Sequence, residues 1–143
     1  MSTNTNKVDG NNFEDKLCKA LFKVGYWAHN LAQNRYGQPA DIIAGKNGKV
    51  YLIDAKVVST EKGFELSRME DNQDLAMSLW EERIGNCCWF CIWYKQTGDY
   101  NDVFMVSHDT IVRLKQSGKS YLTFDDAQLY GVRINYWIEL NGS

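Results

Sequence analysis

GQPADIIAGKNGKVYLIDAK, residues 37–56, is the stretch of sequence that decides the fold. Two short apolar runs flank GKNG at residues 45–48, which predicts two antiparallel strands joined by a tight turn. Asp41 begins the first strand, and Asp54 and Lys56 lie near the end of the second. Charged side chains in apolar runs are unfavourable unless water, a counter-charge or a metal ion compensates them. The three charges therefore face either solvent or a shared site.

Strand alternation places Asp54 and Lys56 on the same face as Val50 and Leu52, so two charges join an apolar face. The predicted turn brings Asp41 near Asp54. Two carboxylates that converge at the edge of a sheet form a hard-oxygen site suited to Mg²⁺ or Mn²⁺, and a nearby ammonium group can stabilise negative charge on a phosphate. The alternative is an exposed Asp–Lys ion pair without a function.

Apolar periodicity along the rest of the chain predicts one mixed β-sheet with helices packed against it. Residues 87–95, CCWFCIWYK, are apolar on both faces, which is typical of a central strand covered on both sides. Residues 132–140, VRINYWIEL, alternate in polarity and predict an edge strand or a strand with one buried face. The other predicted elements are helices over 11–25, 67–82, 107–116 and within 123–131, and strands over 26–32, 40–44, 49–58 and 102–107.

Length and composition indicate a globular protein that can bury a sizeable core, because the chain has 143 residues, 44% of them hydrophobic and 13% aromatic. The expected organisation is a flexible polar tail over residues 1–10 and a single domain over residues 11–143. The sequence contains no stretch long and apolar enough to span a membrane and no signal peptide. A cytoplasmic location without a membrane partner is therefore expected.

Charge and cysteine content narrow the kind of binding site. The formal net charge of −2 argues mildly against a non-specific nucleic-acid binder, which is usually basic. It is compatible with a nuclease, because a metal-binding face is itself acidic and basic side chains can cluster locally. Three of the four cysteines lie in the apolar run at residues 87–95 with no histidine nearby, which favours reduced, buried thiols over a zinc site.

Two further polar residues lie beside apolar helix faces. Glu14 adjoins the stripe of Phe13 and Leu17, where it is either a functional acid or a first-turn glutamate favoured by the helix dipole. Gln73 lies on a helix face that is otherwise apolar, so its amide needs hydrogen-bond partners. It is either a satisfied core amide or a group that orients a water or a phosphate.

These residues together resemble the signature of a known enzyme superfamily. The arrangement Glu14 … Gly37-Gln38-Pro39-Ala40-Asp41 … Asp54-Ala55-Lys56 … Gln73 looks like that of the PD-(D/E)XK nucleases. Within them it is most similar to Holliday-junction resolvases of the archaeal and the RecU-like bacterial or phage kind. The segments that carry the resemblance are residues 13–30, 35–57 and 64–73, within roughly the first 80 residues.

The resemblance implies a restriction-endonuclease-like α/β fold, a mixed β-sheet flanked by α-helices. It implies a homodimeric, Mg²⁺-dependent endonuclease, with Mn²⁺ as a substitute, that nicks opposing strands of a four-way DNA junction and leaves 5′-phosphate and 3′-hydroxyl ends. A phage-encoded member would act in the host cytoplasm. The roles that it implies are metal binding by Glu14, Asp41, Asp54 and the main-chain carbonyl of Ala55, with Lys56 as the catalytic lysine and Gln73 in support.

The sequence departs from the family pattern at two points. Asp54 stands where many relatives have glutamate, and the loop before Gln38 lacks the serine that some relatives place there. DNA phosphates would be bound by Arg35, Lys62 and Arg68, although each is individually also explained as a solvated surface charge. Since no base-reading motif is present, we expect recognition of DNA shape rather than of sequence.

Two alternatives to a junction resolvase remain at this point. One is another PD-(D/E)XK nuclease, of restriction or repair type, that acts on a different DNA geometry. The other is a catalytically silent DNA-binding or protein-interaction module on the same fold. A silent module predicts a broken motif, whereas the charged members of this motif are all present.

Overall fold

The structure is a computed structural model and describes residues 2–31, 40–95 and 102–142, with side chains for 12–31, 40–95 and 102–141. None of the helices in these ranges is long and apolar enough to cross a membrane. The elements in chain order are α1 (Ser2–Lys23), β1 (Trp27–Asn30), β2 (Ile42–Lys46), β3 (Lys49–Val58), β4 (Phe64–Glu65), a 3₁₀ turn (Leu66–Arg68), α2 (Asp71–Ile84), β5 (Cys88–Tyr94), β6 (Val103–Ser107), α3 (His108–Gln116), β7 (Tyr121–Leu122), α4 (Phe124–Tyr130), β8 (Val132–Arg133) and α5 (Ile134–Gly142).

A mixed sheet organises these elements in the strand order β1-β2-β3-β5-β6-β8. Its β3–β5 pair is parallel and the other neighbours are antiparallel. A parallel pair needs a crossover, which α2 supplies between β3 and β5. β4 and β7 form a separate two-stranded ribbon, called the β4–β7 ribbon below. The predicted mixed sheet with packed helices is confirmed.

The β2–β3 hairpin follows the local chemistry of its turn. Asn47 and Gly48 both have positive φ, 55° and 78°, as the type I′ turn of a two-residue hairpin requires. Asparagine and glycine tolerate this backbone better than other residues. The turn fixes the register across the hairpin, in which Ile42 pairs with Ile53.

Helix α1 packs on the sheet through residues at helical spacing. Phe13, Leu17 and Leu21 are buried, and the ring of Phe13 lies 5.7 Å from that of Trp93. Burying a leucine or phenylalanine side chain contributes about 1.5–3 kcal/mol. This packing holds the helix face that carries Glu14 against the sheet.

Helix α2 is tied to the start of α3 by a buried histidine. His108 lies 2.6 Å from Glu81 through Nδ1 and 2.7 Å from Asp74 through Nε2. The other oxygen of Glu81 accepts hydrogen bonds from the amides of Cys87 and Cys88, each 3.2 Å long. Both ring nitrogens of His108 are therefore engaged with carboxylates of α2.

One expectation for the ends of the chain is wrong, and another stays a prediction. Helix α1 begins at Ser2, so the backbone of residues 2–10 is helical, and the expected flexibility of this segment stays a prediction. The strand expected over residues 132–140 is limited to Val132–Arg133, and α5 follows it. Ile134 and Trp137 are also spaced for a helix, and Trp137 is buried with its ring 5.9 Å from that of Tyr26. Burial of this indole favours the helical spacing over the alternating one.

Candidate active site

The β2–β3 hairpin brings two acids together. Because Ile42 pairs with Ile53, Asp41 just before β2 lies beside Asp54 in β3. The amide of Ala55 donates a hydrogen bond of 3.0 Å to Oδ2 of Asp41 and orients that carboxylate. The predicted proximity of the two aspartates is therefore observed.

Glu14 joins them from α1. Its carboxyl group is within hydrogen-bonding reach of Asp41, and it interacts electrostatically with Asp54 and Lys56. Two carboxyl groups in such contact are favourable only when a proton or a cation lies between them. Three acids that are distant in sequence thus form one group, called the acidic cluster below.

Lys56 faces the buried end of this cluster. Its Nζ lies 3.0 Å from Oδ2 of Asp54, and the two side chains are 20% and 5% exposed. The ammonium compensates the charge of this oxygen but is not well aligned for a hydrogen bond, and among the residues that the structure describes the buried Oδ2 of Asp54 has no other donor. A buried carboxylate oxygen in this state is expected to have a ligand that the protein does not supply.

Burial makes the acidic cluster reluctant to ionise. Burial raises the pKa of Asp54 to about 7, Lys56 opposes the rise, and the charge of Asp41 adds to it. Burial likewise raises the pKa of Asp41 to about 6, where the charge of Glu14 adds to the rise and the amide of Ala55 opposes it. The pKa of Glu14 is raised as well, chiefly by burial. A divalent cation would lower these pKa values, because it favours the ionised carboxylates.

The chemistry of these groups fits a hard divalent cation. Carboxylate oxygens are the ligands that Mg²⁺ prefers, and one of them is the unsatisfied Oδ2 of Asp54. Within residues 12–31, 40–95 and 102–141, no three His, Cys, Asp or Glu side chains are arranged as a ready-made metal centre. Mg²⁺ does not need one, because it commonly binds through one or two carboxylates and completes its shell with water and substrate phosphate.

An open cleft of about 830 Å³ gives access to the cluster. Lys62 and Arg68 line it, with the ammonium of Lys62 5.8 Å from the ring of Tyr121 and Nη1 of Arg68 3.0 Å from the carbonyl oxygen of Val57. These contacts hold two cations beside the acids, and the DNA-binding role of both stays a prediction. The lining residues are Glu14, Asp41, Ala55, Lys56, residues 57–63, Glu65, Arg68 and Tyr121.

Two predicted residues that the structure describes, Asp54 and Gln73, are not among the residues that line this cleft, and Asp54 is buried at 4% exposure beside Lys56, which does line it. Gln73 lies near the start of α2, half-buried, and is not among the lining residues, so its supporting role stays a prediction. Arg35 lies outside the described residues, as do Gly37, Gln38 and Pro39.

Sequence reasoning missed Tyr121 in the wall of the cleft. It lies on β7, a strand of only two residues, and no local pattern marks such a short strand. Its link to the site is the pairing of β7 with β4, since Tyr121 lies opposite Glu65. Only the pairing of β7 with β4, which is not visible in the local sequence, could have identified Tyr121 as a residue of the cleft.

Comparison with known proteins identifies the fold. No family model and no curated protein matches the chain. Among solved structures 22 chains are similar to it. One is Hjc of Archaeoglobus fulgidus, a Holliday junction resolvase from an archaeal hyperthermophile, with a TM-score of 0.67 and 18% sequence identity over 90% of this chain and 98% of that chain. The chain therefore has the restriction-endonuclease-like fold of such a resolvase, as the sequence resemblance predicts.

Proposed function

We propose that this protein is a metal-dependent endonuclease that hydrolyses phosphodiester bonds of branched DNA, with the four-way junction as its substrate. One observation carries the proposal: Glu14, Asp41 and the buried Asp54 gather beside Lys56, and all of them except Asp54 line an open cleft. The fold shared with an archaeal resolvase supports the choice of a junction as substrate. The compartment that we infer is the cytoplasm that holds this DNA, which is the host cytoplasm for a phage protein.

The acidic cluster would hold Mg²⁺, or Mn²⁺ in its place. The ligands would be carboxylate oxygens of Glu14, Asp41 and Asp54, with the main-chain carbonyl of Ala55 as a further candidate. When bound, the cation would polarise the scissile phosphate and favour attack by water. The amide of Ala55 keeps Asp41 in place for this role through its hydrogen bond.

Lys56 would stabilise the negative charge that develops on the phosphate during attack. Its ammonium group is partly exposed and lies 3.0 Å from the buried carboxylate of Asp54, which keeps it beside the acidic cluster. A fixed charge at the reacting group lowers the barrier without reorganisation during the reaction. Hydrolysis would leave 5′-phosphate and 3′-hydroxyl ends, and Gln73 would support the cluster from α2.

Lys62 and Arg68 would bind phosphates on either side of the scissile bond. Both line the cleft, and their contacts with Tyr121 and Val57 already restrict the two side chains. Less conformational entropy is therefore lost when they bind a phosphate. Phosphate contacts position a nucleic acid without reading its bases, so shape would decide the choice of substrate. Arg35 is proposed as a third phosphate ligand from the sequence alone.

We infer that the active form is a homodimer. Symmetric incision of a four-way junction requires two sites, and the described part of one chain carries one acidic cluster. Sedimentation equilibrium of the purified protein at micromolar concentration checks this inference. A mass of one chain, both alone and with a junction, would contradict it.

Cleavage of defined DNA substrates tests the proposal. The purified protein and its Asp54→Asn variant are incubated with four-way, flap and linear DNA, with and without Mg²⁺. The expected result is paired nicks in the four-way junction that require both Mg²⁺ and Asp54. Asp109→Asn is the matched control, because Asp109 is an exposed acid whose pairing with Arg113 contributes little.

Each other outcome selects a different function. Equal cleavage of every duplex would indicate another nuclease of the same fold. Metal-dependent cleavage that Asp54→Asn leaves unchanged would exclude the acidic cluster as the active site. Binding of DNA without any cleavage would indicate a silent binding module.

A further inference from the structure

A second, smaller cleft adjoins the candidate active site. It has a volume of about 250 Å³, and Glu65 lines both clefts. Tyr121 lines the first cleft and Ser120, the preceding residue, lines the second. The two clefts therefore meet along the β4–β7 ribbon. The residues that line the smaller one are Glu65, Leu66, Ser67, Lys115, Gly118, Lys119 and Ser120.

The ribbon between the clefts is closely held. The amide of Leu66 donates a hydrogen bond of 2.9 Å to the carbonyl of Ser120, next to the pair of Glu65 with Tyr121. Gly63 has a φ of +100°, and a Cβ there would lie 2.4 Å from the carbonyl oxygen of Leu122. Only glycine permits this close approach of the two strands. The second cleft thus has a fixed position relative to the acidic cluster.

Two lysines give this cleft its positive charge. Nζ of Lys115 donates to the carbonyl oxygen of Met69 at 3.3 Å, and Nζ of Lys119 lies 3.0 Å from Asp126. An ammonium group has three N–H donors, so one such contact leaves donors for a second acceptor. Asp126 partly neutralises Lys119, so Lys115 contributes more of the positive charge of the cleft than Lys119 does.

We propose that the second cleft binds a backbone phosphate of the DNA whose scissile phosphate lies at the acidic cluster. The backbone would run from Lys56 past Lys62 and Arg68, and along the β4–β7 ribbon to Lys115 and Lys119. This inference rests on the proposed nuclease function and adds two DNA ligands beyond the family signature. Both lysines also lie near the C-terminal end of α3, where positive charge is favourable in any case. The test must therefore separate DNA binding from helix stability.

Glu65 provides that separation. It is exposed, it lines both clefts, and its side chain does not cap the following 3₁₀ turn. A phosphate backbone on the proposed path must pass this carboxylate, which repels it. Removing the charge should therefore strengthen DNA binding, an effect that a purely structural role of the lysines does not produce.

The experiment measures binding of a fluorescent four-way junction over a range of salt concentrations, without divalent cation so that the DNA stays intact. Lys115→Gln should weaken binding about three- to tenfold. The slope of the logarithm of the binding constant against the logarithm of the salt concentration, called the salt slope below, should fall in magnitude by about one, because one phosphate contact is lost. Lys119→Gln should have a smaller effect in the same direction, and Glu65→Gln should tighten binding severalfold. Lys115→Arg keeps the positive charge and should bind as the wild type does.

Lys49→Gln is the matched control, since Lys49 is exposed at the opposite end of β3 from Lys56. Thermal unfolding of each variant detects any loss of stability. Should Lys115→Gln be destabilised, Lys119→Gln and Glu65→Gln still decide the matter.

Unchanged affinity and salt slope in the Lys115, Lys119 and Glu65 variants would overturn the inference. If Lys62→Gln and Arg68→Gln still weakened binding, and Mg²⁺-dependent cleavage still required Asp54, the proposed function would survive that result. A wild-type protein that binds no DNA would overturn both.

Discussion

His108 and Asp54 are both buried, at 3% and 4% exposure, but the groups around them differ. Each ring nitrogen of His108 has a carboxylate partner, and both oxygens of Glu81 are engaged as well. Asp54 has Lys56 on one side and two further acids on the other, and its Oδ2 has no other hydrogen-bond donor in the described part of the chain.

This difference is the one that we expect between a cluster that only stabilises the fold and a cluster that binds a ligand. A buried charge network that satisfies its own hydrogen bonds stabilises the packing of the elements that carry it. A buried cluster of like charges that leaves an oxygen unsatisfied lowers stability, so it indicates a ligand that binds there. We therefore expect variants at the two clusters to affect different properties.

The largest expected effect is on cleavage by Lys56→Gln. Removing a charge that stabilises the transition state should lower the single-turnover cleavage rate about 100- to 1,000-fold. A loss of stability should appear mainly above neutral pH, where Asp54 would be ionised and buried without the charge that opposes the rise of its pKa. The cleavage rate is therefore measured at a temperature where the variant is folded. Cleavage within twofold of the wild type would remove Lys56 from the proposed mechanism.

The second-largest expected effect is a loss of folding stability in the His108→Gln variant. Removing one partner of a fully buried charged pair costs about 3–5 kcal/mol. Because the side chain of Asp74 is 38% exposed, we expect the loss to lie at or below the lower end of that range. Urea unfolding should report this loss, whereas the single-turnover cleavage rate of the remaining folded protein at low temperature should stay near that of the wild type. Glu82→Gln, at an exposed position of α2, is the control. An unchanged unfolding midpoint would show that the histidine network is dispensable.

A third expectation concerns Mg²⁺ itself. Binding at 100 times the dissociation constant stabilises a folded protein by about 2.7 kcal/mol. Because the pKa values of Asp41 and Asp54 are raised to about 6 and about 7, protons compete with the cation below neutral pH. Mg²⁺ should therefore raise the unfolding temperature more at pH 8 than at pH 5.5. A shift of the same size in the Asp54→Asn variant would mean that the cation binds elsewhere.

The smallest expected effect is a gain in stability from Asp54→Asn without metal. The folded pKa of Asp54 lies above its ordinary value, so the folded state binds a proton that the unfolded state releases between about pH 4 and pH 7. This contribution to stability is present at low pH and is lost as pH rises through 7. At pH 8 in EDTA the unfolding temperature of the variant should exceed that of the wild type. The difference should be about 2–4 °C for each kcal/mol of stability that the wild type loses by ionising the buried Asp54. Destabilisation at pH 8 and equal stability at pH 4 would contradict this sign.

The sequence predicted those parts of the site that depend on local chemistry. Asn47 and Gly48 predict the turn, the alternation of β3 predicts the shared face, and together they predict that Asp41 lies beside Asp54. The sequence predicted the helix over residues 107–116 that begins with His108, but not the partners of this histidine. Its partners Asp74 and Glu81 are 34 and 27 residues away in sequence, and no local pattern connects them.

The remaining errors and omissions also have physical causes. Residues 132–140 satisfy both a strand and a helix period, and the burial of Trp137 against distant aromatic rings decides between them. Tyr121 reaches the first cleft through the β4–β7 ribbon, whose strands have two residues each, and Lys115 on α3 and Lys119 after it lie beside that ribbon. Such short strands carry no periodic signal, so only the tertiary structure brings these side chains to the site.

The β2–β3 hairpin also has a consequence for the kinetics of folding. Its contacts are local in sequence, and local contacts form early because they close short loops. Asp41 and Asp54 therefore approach each other while β5 is still unpaired with β3, and their mutual repulsion should slow refolding at neutral pH. Stopped-flow refolding should show Asp54→Asn folding faster than the wild type at pH 8. Equal refolding rates would mean that the hairpin forms only after the rate-limiting step.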